Sequence, residues 1–159
     1  MAKRRAEIAM TEAEQRAFLE EAVAAGVTVT FASIDRNGYP HLVAMWAMLK
    51  DGLLHFTGYR KSQKILNLKR NPKITCMLEL GDAYDQVRGL VIQGRAEIIE
   101  DPELSRELMM VIGGSKDPNH PMGSASEEKV MAVARKRSCV RVHPEHVYSW
   151  DHRKLGGTY

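Results

Sequence analysis

Arg36-Asn37-Gly38-Tyr39-Pro40-His41-Leu42-Val43-Ala44-Met45-Trp46-Ala47-Met48-Leu49-Lys50-Asp51-Gly52-Leu53-Leu54-His55-Phe56-Thr57 is the stretch that decides the fold. Asn37-Gly38 is the strongest short hairpin signal, because tight hairpin turns need residues that tolerate positive φ. Val27 to Asp35 before it alternates and is β-branched, which predicts a strand. Pro40 opens a return strand that runs through Val43, Met45 and Ala47 to Leu49. Lys50-Asp51-Gly52 is a second hairpin turn and leads into a strand from Leu53 to Thr57. Three strands joined by two tight turns predict an antiparallel β-meander and exclude a doubly wound parallel sheet for this half.

Working outward, Thr11 and Glu14 have capping-box spacing and predict a helix to about Ala25, ended by Gly26. On the other side a helix runs from Ser62 to Arg70 and stops at Pro72. Lys73 to Leu80 reads as a strand with Ile74, Cys76 and Leu78 on one face. After a polar loop, Arg88 to Ile99 reads as a long strand whose Gly89 and Gly94 mark bends or bulges. Asp101-Pro102 opens a helix to about Ile112. Gly113 to Gly123 reads as a long loop, a lid or an interface element. Ser124 and Glu127 start another helix that ends in Arg135-Lys136-Arg137. Ser138 to His143 is a sixth strand, which His146 to Asp151 continues or pairs with. Bent strands with helices inserted between them point to a small β-barrel of mixed α+β type.

At 159 residues the chain fits one domain, read as a basic tail over residues 1–10 and a single domain over residues 11–159. No apolar run reaches membrane-spanning length, and no apolar segment follows the basic N-terminus as a secretory signal requires. Cys76 and Cys139 lack metal or redox spacing and read as buried strand thiols of a cytoplasmic protein. The net charge of +3 comes with two dense basic runs, neither interleaved with aromatics, so no nucleic-acid partner is expected. The six histidines are scattered, without the offsets a metal site needs. No nucleophile elbow, Walker sequence or GxGxxG motif is present.

Past Gly58 comes a run with a different character: Tyr59-Arg60-Lys61-Ser62-Gln63-Lys64-Ile65-Leu66-Asn67-Leu68-Lys69-Arg70-Asn71-Pro72. A strand feeding a Ser-capped helix start presents unpaired N–H groups and the positive end of the helix dipole. Arg60, Lys61 and Lys64 add charge, so the turn reads as a phosphate site. A solvated, Lys-rich helix fits the same residues. Met45 and Trp46 fall on opposite strand faces. An outward Trp46 calls for cover by a subunit or a flat ligand, and an inward one packs beneath the first helix.

Taken together, the segment Lys61–Pro72 after the third strand, Asn37–Leu42 with Trp46 beyond, Asp82-x-Tyr84-Asp85, Gly89–Glu97 and the tail Ser149-Trp150-Asp151-His152-Arg153-Lys154-Leu155 resemble one family. It is the pyridoxamine 5′-phosphate oxidase-like split β-barrel superfamily, in its branch of flavin/deazaflavin oxidoreductases that use coenzyme F-420. The resemblance implies an α+β fold, an antiparallel six-stranded split β-barrel of the FMN-binding type with flanking helices. It implies a homodimer with the cofactor at the interface, its phosphate at Lys61, Ser62 and Lys64 and its ring along Leu42, Val43, Met45 and Trp46. Thr57, Asn67, Tyr84 and Trp150 join the cofactor-binding set. The implied reaction is hydride transfer from the reduced deazaflavin to an electron-poor small molecule, such as an activated C=C bond, a quinone or a tetrapyrrole. The catalytic residue stays open, with Tyr84, His152, Arg60 or solvent as proton source. FMN as cofactor, or a non-enzymatic flavin- or haem-binding protein, are the alternatives. The chain departs from pyridoxamine-phosphate oxidases proper, which place an Arg-Lys pair at the helix start where this chain has Gln63-Lys64.

Overall fold

The computed structural model describes residues 7–116 and 124–156, with side chains described up to Gly113 and again from Ser124. Helix α1, Glu12–Ala24, begins at the expected capping box, in which Thr11 Oγ1 accepts from the Glu14 N–H and Glu14 Oε2 from the Thr11 N–H at 2.7 Å. Gly26, at φ 74°, turns the chain out of it. Strand β1, Val29–Ile34, meets β2, Pro40–Met45, across a turn that Asp35 Oδ1 braces by accepting from the Asn37 and Tyr39 N–H groups.

The return strand does not run through to Leu49. It breaks at Trp46-Ala47, and β3, Met48–Lys50, pairs instead with β4, Leu53–Tyr59, across Asp51 (φ 54°) and Gly52 (φ 75°). There follow α2, Gln63–Arg70; β5, Lys73–Leu80; β6, Arg88–Ile99; α3, Pro102–Lys116; α4, Glu127–Ala134; and β7, Arg137–Asp151. The segment expected as a loop from Gly113 is helical to Lys116, and residues 117–123 lie outside the described residues. The two halves of the last strand are one continuous β7.

The sheet therefore has seven strands, not six, in the order β2-β1-β5-β6-β7-β4-β3 with every ladder antiparallel. Both predicted hairpins form, but the meander does not. Consecutive strands β2 and β3 are the two opposite edges of the sheet, joined by Trp46-Ala47 alone. The sheet curls until those edges are one short link apart, which makes a half-barrel. Its curvature is helped by a register shift between Gln93 and Gly94, opposite Pro144.

The inner face carries Phe31, Leu54, Phe56, Ile74, Cys76, Leu78, Leu90 and Val140, closed by Phe18 and Ala22 of α1 and by Ile65 and Leu68 of α2. Alternation explains this face: β5 reads exposed-buried along most of its length, as a strand with one wet side must. Helices α3 and α4 pack on the outside of β4 and β7, where Leu108, Val130, Ala134 and Cys139 are buried. Residues 8–10 of the expected tail are docked, with Met10 buried and its N–H donating to Ser149 Oγ at 3.0 Å. No helix among the described residues is long and apolar enough to cross a membrane.

Candidate functional site

The end of β4 lies against the start of β7, with Thr57 opposite Cys139 and Tyr59 opposite Arg137. Paired residues share a face, so Thr57, Tyr59 and Arg137 point outward, toward α3 and α4. Together with Ala44, Met45 and Trp46 from the end of β2, and Met109, Ile112 and Val133 from the helices, they line a cleft of about 730 Å³. The cleft exists because the chain leaves the sheet at Trp46-Ala47. The expected opposition of Met45 and Trp46 is present: Met45 packs against the core while Trp46 is 40% exposed.

Among the described residues, Arg137 is the one charged side chain of this lining. Its Nε donates to Thr57 Oγ1 at 2.9 Å and its Nη2 to the Thr57 carbonyl at 3.3 Å, and its guanidinium sits 4.7 Å from the Tyr59 ring centroid. Arg60 fixes it from behind, donating from Nε to the Arg137 carbonyl at 3.0 Å. Among the described residues no carboxylate pairs with Arg137. By sequence Arg137 falls among the cations at a helix C-terminus, whereas the structure makes it the first residue of β7. The available signal was alternation: as the first residue of β7 it shares a face with Cys139 and Arg141.

Next to this cleft is the turn expected to hold phosphate. Ser62 occupies the N-cap position of α2 with extended backbone, but its hydroxyl does not cap the helix; it donates to the Tyr59 carbonyl at 2.7 Å. The first-turn N–H groups are thus left without a side-chain acceptor. Lys64 lies across β4 at Gly58, where a Cβ would stand 3.0 Å from Lys64 Cε, so glycine is what lets the lysine settle there. Burial, followed by the charge of Arg137, pushes the Lys64 ammonium below its ordinary pKa. Ser138, cross-strand partner of Gly58, is fully buried with a hydroxyl that has no partner among the described residues. An uncapped helix start and a half-buried lysine with no carboxylate partner among the described residues stand together at this turn. That donor set fits an oxyanion.

The other expected site residues fall elsewhere. Leu42 is 60% exposed on the outer face of β2, and Val43 packs toward the core. Asn67 is fully buried: its Nδ2 donates to Ser33 Oγ at 3.2 Å, while its Oδ1 accepts from Gln63 and Arg70. It seats α2 against β1. Lys61 is exposed at the turn. Trp150 lines a second cleft of about 900 Å³ with Ile8, Ala9, Gln15, Tyr148 and His152. Tyr84 stands beside that cleft, its ring 4.4 Å from His152, whose Nδ1 lies 2.8 Å from the Tyr84 carbonyl. The expected set is therefore split within one chain, with Met45, Trp46 and Thr57 in the first cleft and Trp150 in the second. No histidine is among the described residues lining the first cleft. Arg60, a candidate proton donor, is committed to the Arg137 carbonyl and to Glu100.

The chain is similar to several solved structures. A conserved hypothetical protein of Mycobacterium tuberculosis is 37% identical, with a TM-score of 0.79 over 98% of this chain and 93% of that one. An F-420 reductase is 22% identical, with a TM-score of 0.64 over 80% of this chain and 94% of the other. An FAD-binding protein of Mesorhizobium loti is 18% identical, with a TM-score of 0.64 over 89% and 94% of the two chains. No curated protein matches. The profile of pyridoxamine 5′-phosphate oxidase matches residues 11–151, which takes in α1 and every strand of the half-barrel. With the curled antiparallel sheet, this match shows that the chain belongs to the pyridoxamine 5′-phosphate oxidase family.

Proposed function

We propose that this protein is an oxidoreductase that uses the reduced deazaflavin coenzyme F-420 to deliver hydride to an electron-poor acceptor, and that it works as a homodimer with the cofactor between subunits. The observation that carries the reading is Lys64: half-buried across Gly58, without a carboxylate partner among the described residues, and beside an aromatic cleft. The motif around it and the Ser149–Leu155 tail support the deazaflavin branch.

Lys64 and the first N–H groups of α2 would hold the cofactor phosphate, the lysine as a point charge and the amides as directed donors. Trp46, with Leu42 and Ala44 on the same outward face of β2, offers a flat apolar bed for the ring system. The deazaflavin, when bound, supplies hydride at its central ring carbon. The chain supplies orientation and the exclusion of water from one side, and solvent at the open side returns the balancing proton. A partner subunit would bring its Trp150 and His152 cleft to cover the other side of the ring.

FMN is the second reading, and one observation favours it. Lys69 is ion-paired to Glu100 at 2.7 Å and Arg70 donates to the Ile34 carbonyl at 2.9 Å, so these rim cations are already engaged rather than free to meet an acidic cofactor tail. Titration of the protein with F-420 and with FMN separates the readings. The expected result is tighter binding of F-420, weakened by about 1.5–3 kcal/mol in Lys64→Ala, the range for hydrogen bonds to charged groups. A dissociation constant unchanged by Lys64→Ala removes the phosphate assignment, and tight FMN binding without F-420 binding moves the protein to the FMN reading.

A further inference from the structure

The first cleft has an asymmetry that a phosphate at Lys64 does not use. Three of its walls are apolar: Met45 and Trp46 from β2, Met109 and Ile112 from α3, Val133 from α4. Among the described residues its charge is concentrated in Arg137, held at one end by Thr57 and by the Tyr59 ring. Two donations to Thr57 occupy Nε and one proton of Nη2, so the guanidinium keeps donors that are not engaged by Thr57. Arg60 holds the Arg137 backbone and Thr57 its side chain, which makes the fork a preorganised one.

A neutral ligand seated on this apolar surface would strip water from Arg137 and give nothing back. A ligand with a carboxylate at one end of a flat apolar body would satisfy both halves of the cleft. We infer that the cleft between β2, α3 and α4 is a binding site for planar apolar carboxylates, anchored by Arg137, and that it selects the acceptor for its acid group. This assignment rests on the proposed cofactor site, with the ring along the Leu42–Trp46 bed and the acceptor on the Arg137 side of the cleft, against β4, α3 and α4. It concerns Arg137, however, and not the phosphate turn at Lys64.

Calorimetric titration of the full chain with indole-3-acetate and with indole-3-acetamide tests it, since the two probes differ only in the charged group. The acid is expected to bind about ten- to a hundredfold more tightly than the amide, as for a hydrogen bond to a charged group. Arg137→Gln is expected to erase that preference, lowering the acid's affinity far more than the amide's. Arg137→Lys should keep part of it, because the charge stays and the fork is lost. The Trp46 indole N–H resonance should shift on titration and that of Trp150 should not. Equal binding of acid and amide, absence of binding of either, or a shift confined to Trp150 overturns the inference. So does a preference lost in Lys64→Ala but kept in Arg137→Gln, since that places the anion at the phosphate turn. The wild-type acid-to-amide ratio decides even if a variant fails to fold. F-420 or FMN binding measured on the same samples reports separately on the cofactor reading.

Discussion

His55 is fully buried on the helix-covered face of β4, with Nδ1 3.0 Å from the Leu53 carbonyl and Nε2 accepting from Arg141 Nε at 3.0 Å. That pattern specifies a neutral imidazole, since an arginine cannot donate to a protonated nitrogen. Burial is the main cause pushing its pKa below the ordinary value, the Leu53 bond opposes it, and the Arg141 charge adds to it. The unfolded chain therefore takes up this proton first as pH falls. The stability contribution is fully present above the unfolded pKa of about 6.5 and is lost as pH drops through the depressed folded value. Urea midpoints should fall between about pH 7 and about pH 5, and His55→Gln should flatten that fall. An equal fall in the variant means that other groups carry the dependence. Sequence reading placed His55 in a strand but gave it no partner. Arg141 is 86 positions away in the chain, beyond the reach of any local pattern.

At the scale of elements, local chemistry read well. The limits of β5 and β6, the capping box of α1 and both hairpin turns were legible, because period-two alternation, caps and turn residues act over a few positions. The break at Trp46-Ala47 was not legible, since the apolar run passes through it without a glycine or proline. The β6 glycines were read as bends, and Gly89 has a sharper role. A Cβ there would lie 1.9 Å from Trp150 Cζ2, so the indole lies flat over its cross-strand partner. Gly89→Ala must push Trp150 off β6. It should cost about 1–3 kcal/mol in urea unfolding and alter the near-ultraviolet dichroism of the indole. A neutral variant would show that Trp150 is free to rotate away. Of the proposed phosphate turn, the charges and the helix start were legible. The donation of the Ser62 hydroxyl to the Tyr59 carbonyl, in place of a cap, and the burial of Asn67 were not, because each depends on a partner chosen in the folded chain.

For the whole molecule, the sheet registers line up Ala44, Thr30, Met77, Val91 and Tyr148 on one outer face. Leu42, Trp46, Met77 and Tyr148 on or beside that face are each at least 39% exposed, while the described residues of α3 and α4 pack mainly on β4 and β7, with α3 also touching β3. An apolar row of this kind is the surface the proposed dimer would bury. Sedimentation should give a dimer for the wild type. Leu42→Glu should yield a monomer with weakened cofactor affinity, because the second cleft would no longer face the first. A wild-type monomer that binds the cofactor tightly contradicts the proposed dimer. The sequence by itself determined the antiparallel strands, their turns, the helix starts and the cationic turn at Lys64, all written in neighbours a few residues apart. Only the tertiary structure decided that β2 and β3 stand at opposite edges, and that Arg137 enters the cleft beside Thr57. The physical reason is range: strand order and cleft walls follow from which distant faces bury one another, and no short stretch of chain encodes that pairing.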